Sequence, residues 1–152
     1  MRKILGLCTA VMWLVVPGLG QVAELLSQAD ALFQEVWLST YSPTAALELR
    51  TKLERAIDLY TRALNVDPQN PRILNKLARA YYTLADIFLP EREKGEFHEK
   101  GQVYGERSLR AQAEFVAVER ERGFVEAVKT STDVAALYWT YANWARKVEL
   151  GG

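Results

Sequence analysis

The sequence predicts an all-α chain, a solenoid of antiparallel helix pairs about two to three repeats long with the last repeat incomplete. Two observations lead there. Apolar residues recur at helical spacing in successive segments with no β-type alternation anywhere, and short turns rich in Pro, Ser and Asn separate those segments. Composition agrees, because Leu, Ala, Glu and Arg are abundant and only nine glycines occur in 152 residues.

The first twenty residues stand apart. Arg2 and Lys3 precede an apolar run from Ile4 to Val16 that closes on Pro17, Gly18, Leu19 and Gly20, the layout of a secretory signal peptide. Gly18 and Gly20 supply the small residues before a cut that makes Gln21 the first residue of the mature chain. The apolar run falls short of the about 20 residues of a membrane-spanning helix. Retention as an anchor, with the run extended through the Pro-Gly stretch, is the alternative. The expected division is residues 1–20 as signal peptide and 21–152 as one helical-repeat domain, which implies a periplasmic location.

Cys8, the only cysteine, lies inside that segment, so no disulfide or thiol nucleophile is expected in the mature chain. It follows Leu7 and lacks the small residue and full apolar run of a lipidation site, so no lipid anchor is expected through it. Without Arg2 and Lys3, seventeen basic side chains face nineteen acidic ones, interspersed along every predicted helix. That balance argues against a nucleic-acid partner.

Val22, Leu25, Leu26, Ala29, Leu32, Phe33, Val36 and Trp37 mark a first amphipathic helix from about Val22 to Leu38. Ser39 to Ser42 break it, and Pro43 is placed to open a second helix running to Asn65, with Leu49, Leu53, Ala56, Ile57, Tyr60 and Ala63 in its stripe. After the turn Asp67-Pro68-Gln69-Asn70, Pro71 opens a third helix whose stripe is Ile73, Leu74, Leu77, Ala78, Tyr81, Leu84, Ala85 and Phe88. Leu89 to Lys100 reads as an inserted, charge-rich loop, followed by a helical segment to about Glu114. A short helix near Gly123 to Lys129 and an aromatic helix from the cap cluster at Thr130–Asp133 to about Leu150 complete the chain.

Ala56, Tyr60, Ala63 and Pro68 reproduce the small, aromatic, small and proline positions in the second half of a tetratricopeptide repeat. Small residues let helices approach, the aromatic fills the gap between repeats, and proline stops the helix. Leu74, Leu77, Ala78 and Tyr81 continue the register as the first helix of the next unit, with Gly101, Gly105 and Ser108 as small positions of its displaced second helix. Tyr138, Tyr141, Ala142 and Ala145 start a third unit whose second helix is missing. Either the chain is shortened or a neighbouring copy covers Leu137, Tyr141 and Trp144.

The stretch Asp133-Val134-Ala135-Ala136-Leu137-Tyr138-Trp139-Thr140-Tyr141-Ala142-Asn143-Trp144, together with Leu77–Asp86 and Tyr104–Leu109, resembles the T component associated with tripartite ATP-independent periplasmic (TRAP) transporters. The resemblance covers roughly Ala29 to Leu150. It implies a non-catalytic periplasmic protein that binds the transporter's extracytoplasmic solute-binding subunit, with a small hydrophobic solute as a further ligand. Members of that family usually carry more helices after the aromatic motif, so this chain is expected to be C-terminally shortened relative to them. A general exported scaffold for protein–protein interaction in envelope assembly is the alternative function.

In such a stack the concave surface is lined by first-helix residues just beyond the packing aromatic and one turn further on. Those positions are Asn75, Arg79 and Tyr82 in one unit and Trp139, Asn143 and Arg146 in the next, the candidate partner-binding groove. The competing readings are a salt-bridged surface for Arg79 and Arg146 and core packing for Trp139. His98, without a second histidine or a cysteine nearby, reads as a loop residue, and no metal site or cofactor is expected. No phosphate loop, nucleophile elbow or histidine–carboxylate constellation is present, so the chain reads as not an enzyme.

Overall fold

The computed structural model describes residues 17–151; the expected signal run with Arg2, Lys3 and Cys8 lies outside the described residues. The described chain is all helical: α1 Pro17–Leu38, α2 Ala46–Val66, α3 Pro71–Thr83, α4 Glu91–Arg110, α5 Ala113–Arg122, α6 Phe124–Val128 and α7 Val134–Gly151. A π-helical turn, Leu84–Phe88, continues α3. The architecture is the tetratricopeptide-like solenoid that the repeat register predicts: α1 pairs with α2, α3 with α4, and α7 packs on both α3 and α4.

Helix boundaries follow local chemistry. The Asn70 side chain accepts hydrogen bonds from the backbone N–H groups of Arg72 (3.0 Å) and Ile73 (3.3 Å), and Pro71 occupies the first helical position, where its missing N–H costs nothing. At α2 the prediction is early by three residues: Pro43 lies in a turn closed by the Ala45 N–H on the Ser42 carbonyl (3.1 Å), and the helix begins at Ala46. Gly123 ends α5 and leads into α6 at φ 87°, a conformation that L side chains rarely adopt.

The stripes read from the sequence form the main core. Leu53, Ala56, Tyr60 and Ala63 of α2 meet Ala29 and Phe33 of α1 and Ile73, Leu74 and Leu77 of α3, all buried. Each large aliphatic side chain there contributes about 1.5–3 kcal/mol by leaving water. A smaller cluster, Leu109, Phe115, Ala127 and Ala136, forms where the α5–α6 hairpin folds back on α4 and α7. Phe115 and Phe124 meet edge to face at 5.5 Å inside it.

Two predictions need correction. The stretch expected to be an inserted loop is helix from Glu91 onward, and His98 is fully buried in it rather than in a loop. Its outer face carries Glu91, Arg92, Glu96 and Glu99, while His98, Gly101, Gly105 and Ser108 point inward. The third unit is also less bare than expected, because α5 and α6 shelter Leu137, although Tyr138, Tyr141 and Trp144 remain exposed.

Candidate functional site

The first helices of the successive units, α1, α3 and α7, border one groove, and Arg79 on α3 lies where they converge. Its guanidinium sits 4.3 Å from the Trp37 ring and 4.7 Å from Phe33, both on α1, and 5.7 Å from Trp139 on α7. These are cation–π distances. The Arg79 Nε is buried and has no hydrogen-bond acceptor among the described residues. Burial lowers the Arg79 pKa from its ordinary value; only Tyr60 pulls the other way, and no carboxylate contributes.

The acids around the groove are engaged elsewhere. Asp30 accepts from Lys76 Nζ and from the Tyr60 hydroxyl, each at 2.6 Å, which ties α1 to α2 and α3. Burial, then the Asp30 carboxylate, push the Tyr60 phenol well above its usual pKa, so it stays a hydrogen-bond donor. Asp133 accepts from Asn75 Nδ2 at 2.9 Å and from the Ala136 backbone N–H at 2.9 Å, capping α7 while holding α3 to it. The Asn75 Oδ1 is left buried without a donor.

Along α3 and α7 the groove is a trough of about 480 Å³ lined by Arg72, Asn75, Lys76, Arg79, Asp133 and Trp139 among others. A second hollow of about 180 Å³ continues it past Asp30, Phe33, Gln34 and Tyr60, sharing Lys76 and Arg79. Asn75, Arg79 and Trp139 of the predicted set therefore come together on one surface. Tyr82 stands behind Trp139, their ring centroids 5.6 Å apart, with His98 at 5.4 Å on its other side. It supports the aromatic wall.

Asn143 and Arg146 do not join that surface. Asn143 is fully buried where α3, α4 and α7 meet, donating to the carbonyls of Ala78 (3.1 Å) and Trp139 (2.8 Å) and bonded through Oδ1 to His98 Nδ1 (3.2 Å). Because the amide nitrogen is already a donor twice, Oδ1 is the acceptor and His98 carries its proton on Nδ1. One turn further along α7, Arg146 pairs with Asp86 of the π turn at 2.8 Å and with Glu149 at 2.6 Å, a clasp at the edge of the stack. The sequence-based choice took every first-helix position at that spacing as concave, but α7 also has to face α4, and that contact claims Asn143.

Sequence reasoning missed Phe33, Trp37 and Lys76 as groove residues. Phe33 and Trp37 were read only as part of the α1 stripe, although their i, i+4 spacing on a first helix, opposite a cation at the corresponding place on the next one, was the available signal. A separate apolar cleft of about 410 Å³ lies between α4, α6 and α7, lined by Leu109, Phe124, Val128, Leu137, Tyr141 and Trp144 among others. Among the described residues no cluster of His, Cys, Asp and Glu fit to hold a metal occurs, and no helix is long and apolar enough to cross a membrane.

A family model described as TPR repeat matches residues 50–84, which run from within α2 through α3, the helix that forms one wall of this groove. Neither a curated protein nor a solved structure matches the chain. Residues 50–84 are thus similar to a tetratricopeptide repeat and lie inside an all-α, tetratricopeptide-like stack of paired helices; such repeats generally serve as scaffolds for protein partners.

Proposed function

We propose that the protein is an exported, non-catalytic binding partner whose α1–α3–α7 groove grips the extracytoplasmic solute-binding subunit of a TRAP transporter. The single observation that carries the binding role is the convergence of three first helices on an aromatic-walled groove around an unpaired Arg79. Tetratricopeptide-type scaffolds present partners with such a surface, and aromatic and arginine side chains dominate the energetics of protein interfaces. The choice of partner rests on the resemblance carried by Asp133–Trp144 and Leu77–Asp86, and export rests on the segment before Gln21.

The test is an affinity capture with the tagged chain from a periplasmic extract of its own host, with retained proteins identified by mass spectrometry. A TRAP-type solute-binding subunit retained by the wild type and lost with Trp37→Ala and Trp139→Ala is the expected result. Retention that ignores both substitutions removes the groove from the proposal. The second reading, a general scaffold for envelope assembly, is favoured by the same groove and the repeat match; retention of envelope-assembly proteins in place of the transporter subunit decides for it.

A further inference from the structure

α7 carries two stripes, and the fold uses one of them. Ala136, Thr140 and Asn143 face inward and are buried where α7 packs on α3 and α4. Two residues out of step with these, and so about 200° around the helix, stand Val134, Tyr138, Tyr141, Ala145 and Val148. They follow one another 4, 3, 4 and 3 residues apart, the spacing of a coiled-coil seam. Val134 is 75% exposed, Tyr138 59%, Tyr141 65% and Val148 53%, with Trp144 beside them at 49%. No charged side chain occurs from Val134 to Ala145, so nothing on the helix itself favours keeping this face in water. A helix apolar around most of its circumference is a buried helix.

The other end of the stack does not complement the seam. α1 turns Gln21, Glu24, Ser27, Gln28, Gln34 and Glu35 outward. Stacking the last helix of one copy on the first helix of the next would bury those polar groups against Tyr138 and Tyr141. The surface that matches the seam is the same seam on a second copy. An aromatic side chain has roughly 150–250 Å² to bury, so at these exposures the three rings offer on the order of 350 Å² per copy. Val134, Ala145 and Val148, with the exposed Val125 of α6, bring the patch to roughly the 600 Å² per copy at which specific interfaces begin.

We infer that the protein pairs with a second copy of itself through α7, the two helices antiparallel about a two-fold axis that passes between Tyr138 and Tyr141. In that register Tyr138 of each copy lies against Tyr141 of the other, and Val134 against Ala145, with the large side chains at the centre and the small ones toward the ends. Antiparallel packing sets the two helix dipoles head to tail. A two-fold closes the assembly at two copies and leaves no seam open. Because Tyr141 and Trp144 also line the apolar cleft between α4, α6 and α7, the pair shields that cleft from water. Pairing through α7 is independent of what the α1–α3–α7 groove binds.

Sedimentation equilibrium of the full chain, at concentrations reaching about 100 µM, reads the assembly, and a reversible dimer is the expected result. Tyr141→Glu, at an exposed position, weakens the dimer at least about a hundredfold with an unchanged circular dichroism melt. Leu47→Glu, at a comparably exposed apolar position of α2, leaves it intact. Orientation is read in a Cys8→Ser background with a short bismaleimide: chains carrying Val134→Cys and Ala145→Cys cross-link when mixed and not singly. If the melt of Tyr141→Glu shifts, this cross-linking pair, which keeps Tyr141, carries the test alone.

A monomer at every concentration, a three-copy or open-ended assembly, or a dimer that ignores Tyr141→Glu overturns the inference. Cross-linking of either cysteine variant with itself also does so, since it marks a parallel pair. A monomer whose tryptophan fluorescence shifts on adding octyl glucoside below its micelle concentration overturns it as well and gives the face to a small amphiphile.

Discussion

Two polar regions of this molecule border the same helices, α3 and α7: an amide-centred junction, in which His98 Nε2 and Thr140 Oγ1 are the buried atoms without partners, and a groove centred on a cation. At the α3–α4–α7 junction the polar atoms of Asn143 are bonded to Ala78, Trp139 and His98, and glycines on α4 bring the backbones together around it. In the groove on the other side of α3, Arg79 is framed by three aromatic rings and given no acceptor. A buried polar group that is satisfied within the protein fixes a helix crossing; one left unsatisfied at an opening is free to recognise something else. The contrast predicts large stability losses and intact groove chemistry for junction variants, and the reverse for groove variants.

The largest effect belongs to Gly105→Leu. A Cβ at Gly105 falls about 3.0 Å from Thr140 Cα and runs into the Thr140 hydroxyl, with backbone on one side and no flexible chain to yield. Over-packing a contact this close costs about 3 kcal/mol, a fall of roughly 10 °C in Tm by calorimetry. Next comes Asn143→Ala, which strips the partners from His98 Nδ1 and opens a small hole. Chemical denaturation is expected to show a loss of about 2 kcal/mol, with the Trp37 and Trp139 fluorescence of the folded state retained. A loss under about 0.5 kcal/mol would erase the distinction between the two regions. Arg79→Gln gives up only aromatic stacking at a partly open site, about 1 kcal/mol, while weakening capture of the protein partner by the groove.

The same contrast explains what the sequence could reveal. Stripes of Leu, Ile, Ala and Tyr announce α1, α2, α3 and α7 because burial there is apolar, and Asn70-Pro71 announces a helix start through a cap that depends on two adjacent residues. Of α4 only the half from Gly101 onward is announced, through the small residues Gly101, Gly105 and Ser108; the half from Glu91 to Lys100 stays hidden because its inward face offers His98 in place of an apolar stripe. A search for apolar periodicity sees only the charges on the other side. For the groove, chain-local spacing identifies Asn75, Arg79 and Trp139 correctly as neighbours. It cannot show that α7 turns Asn143 toward α4, since that depends on how closely the glycines let two distant segments approach.

The smallest and most specific effect is on pH. Burial lowers the His98 pKa, against a hydrogen bond to Asn143 and the Asp86 charge that raise it, with Arg146 and Lys94 adding to the lowering. The folded protein thus binds this proton less readily than the unfolded chain, whose imidazole titrates at its ordinary value near 6.5. Above that value both states carry a neutral ring and stability is complete. As the pH drops below it, the unfolded state takes up the proton first and stability declines, by at most about 1.4 kcal/mol per pH unit for one proton, until the folded state protonates too. Subtracting the curve of His98→Gln isolates this contribution from the exposed carboxylates, which titrate lower. The difference between wild type and variant should be flat from pH 8 to about 6.5 and then shrink toward pH 5. A difference that stays constant through that range means the ring is protonated as easily in the fold as outside it, and the α3–α4–α7 junction is then wetter than the burial of His98 implies.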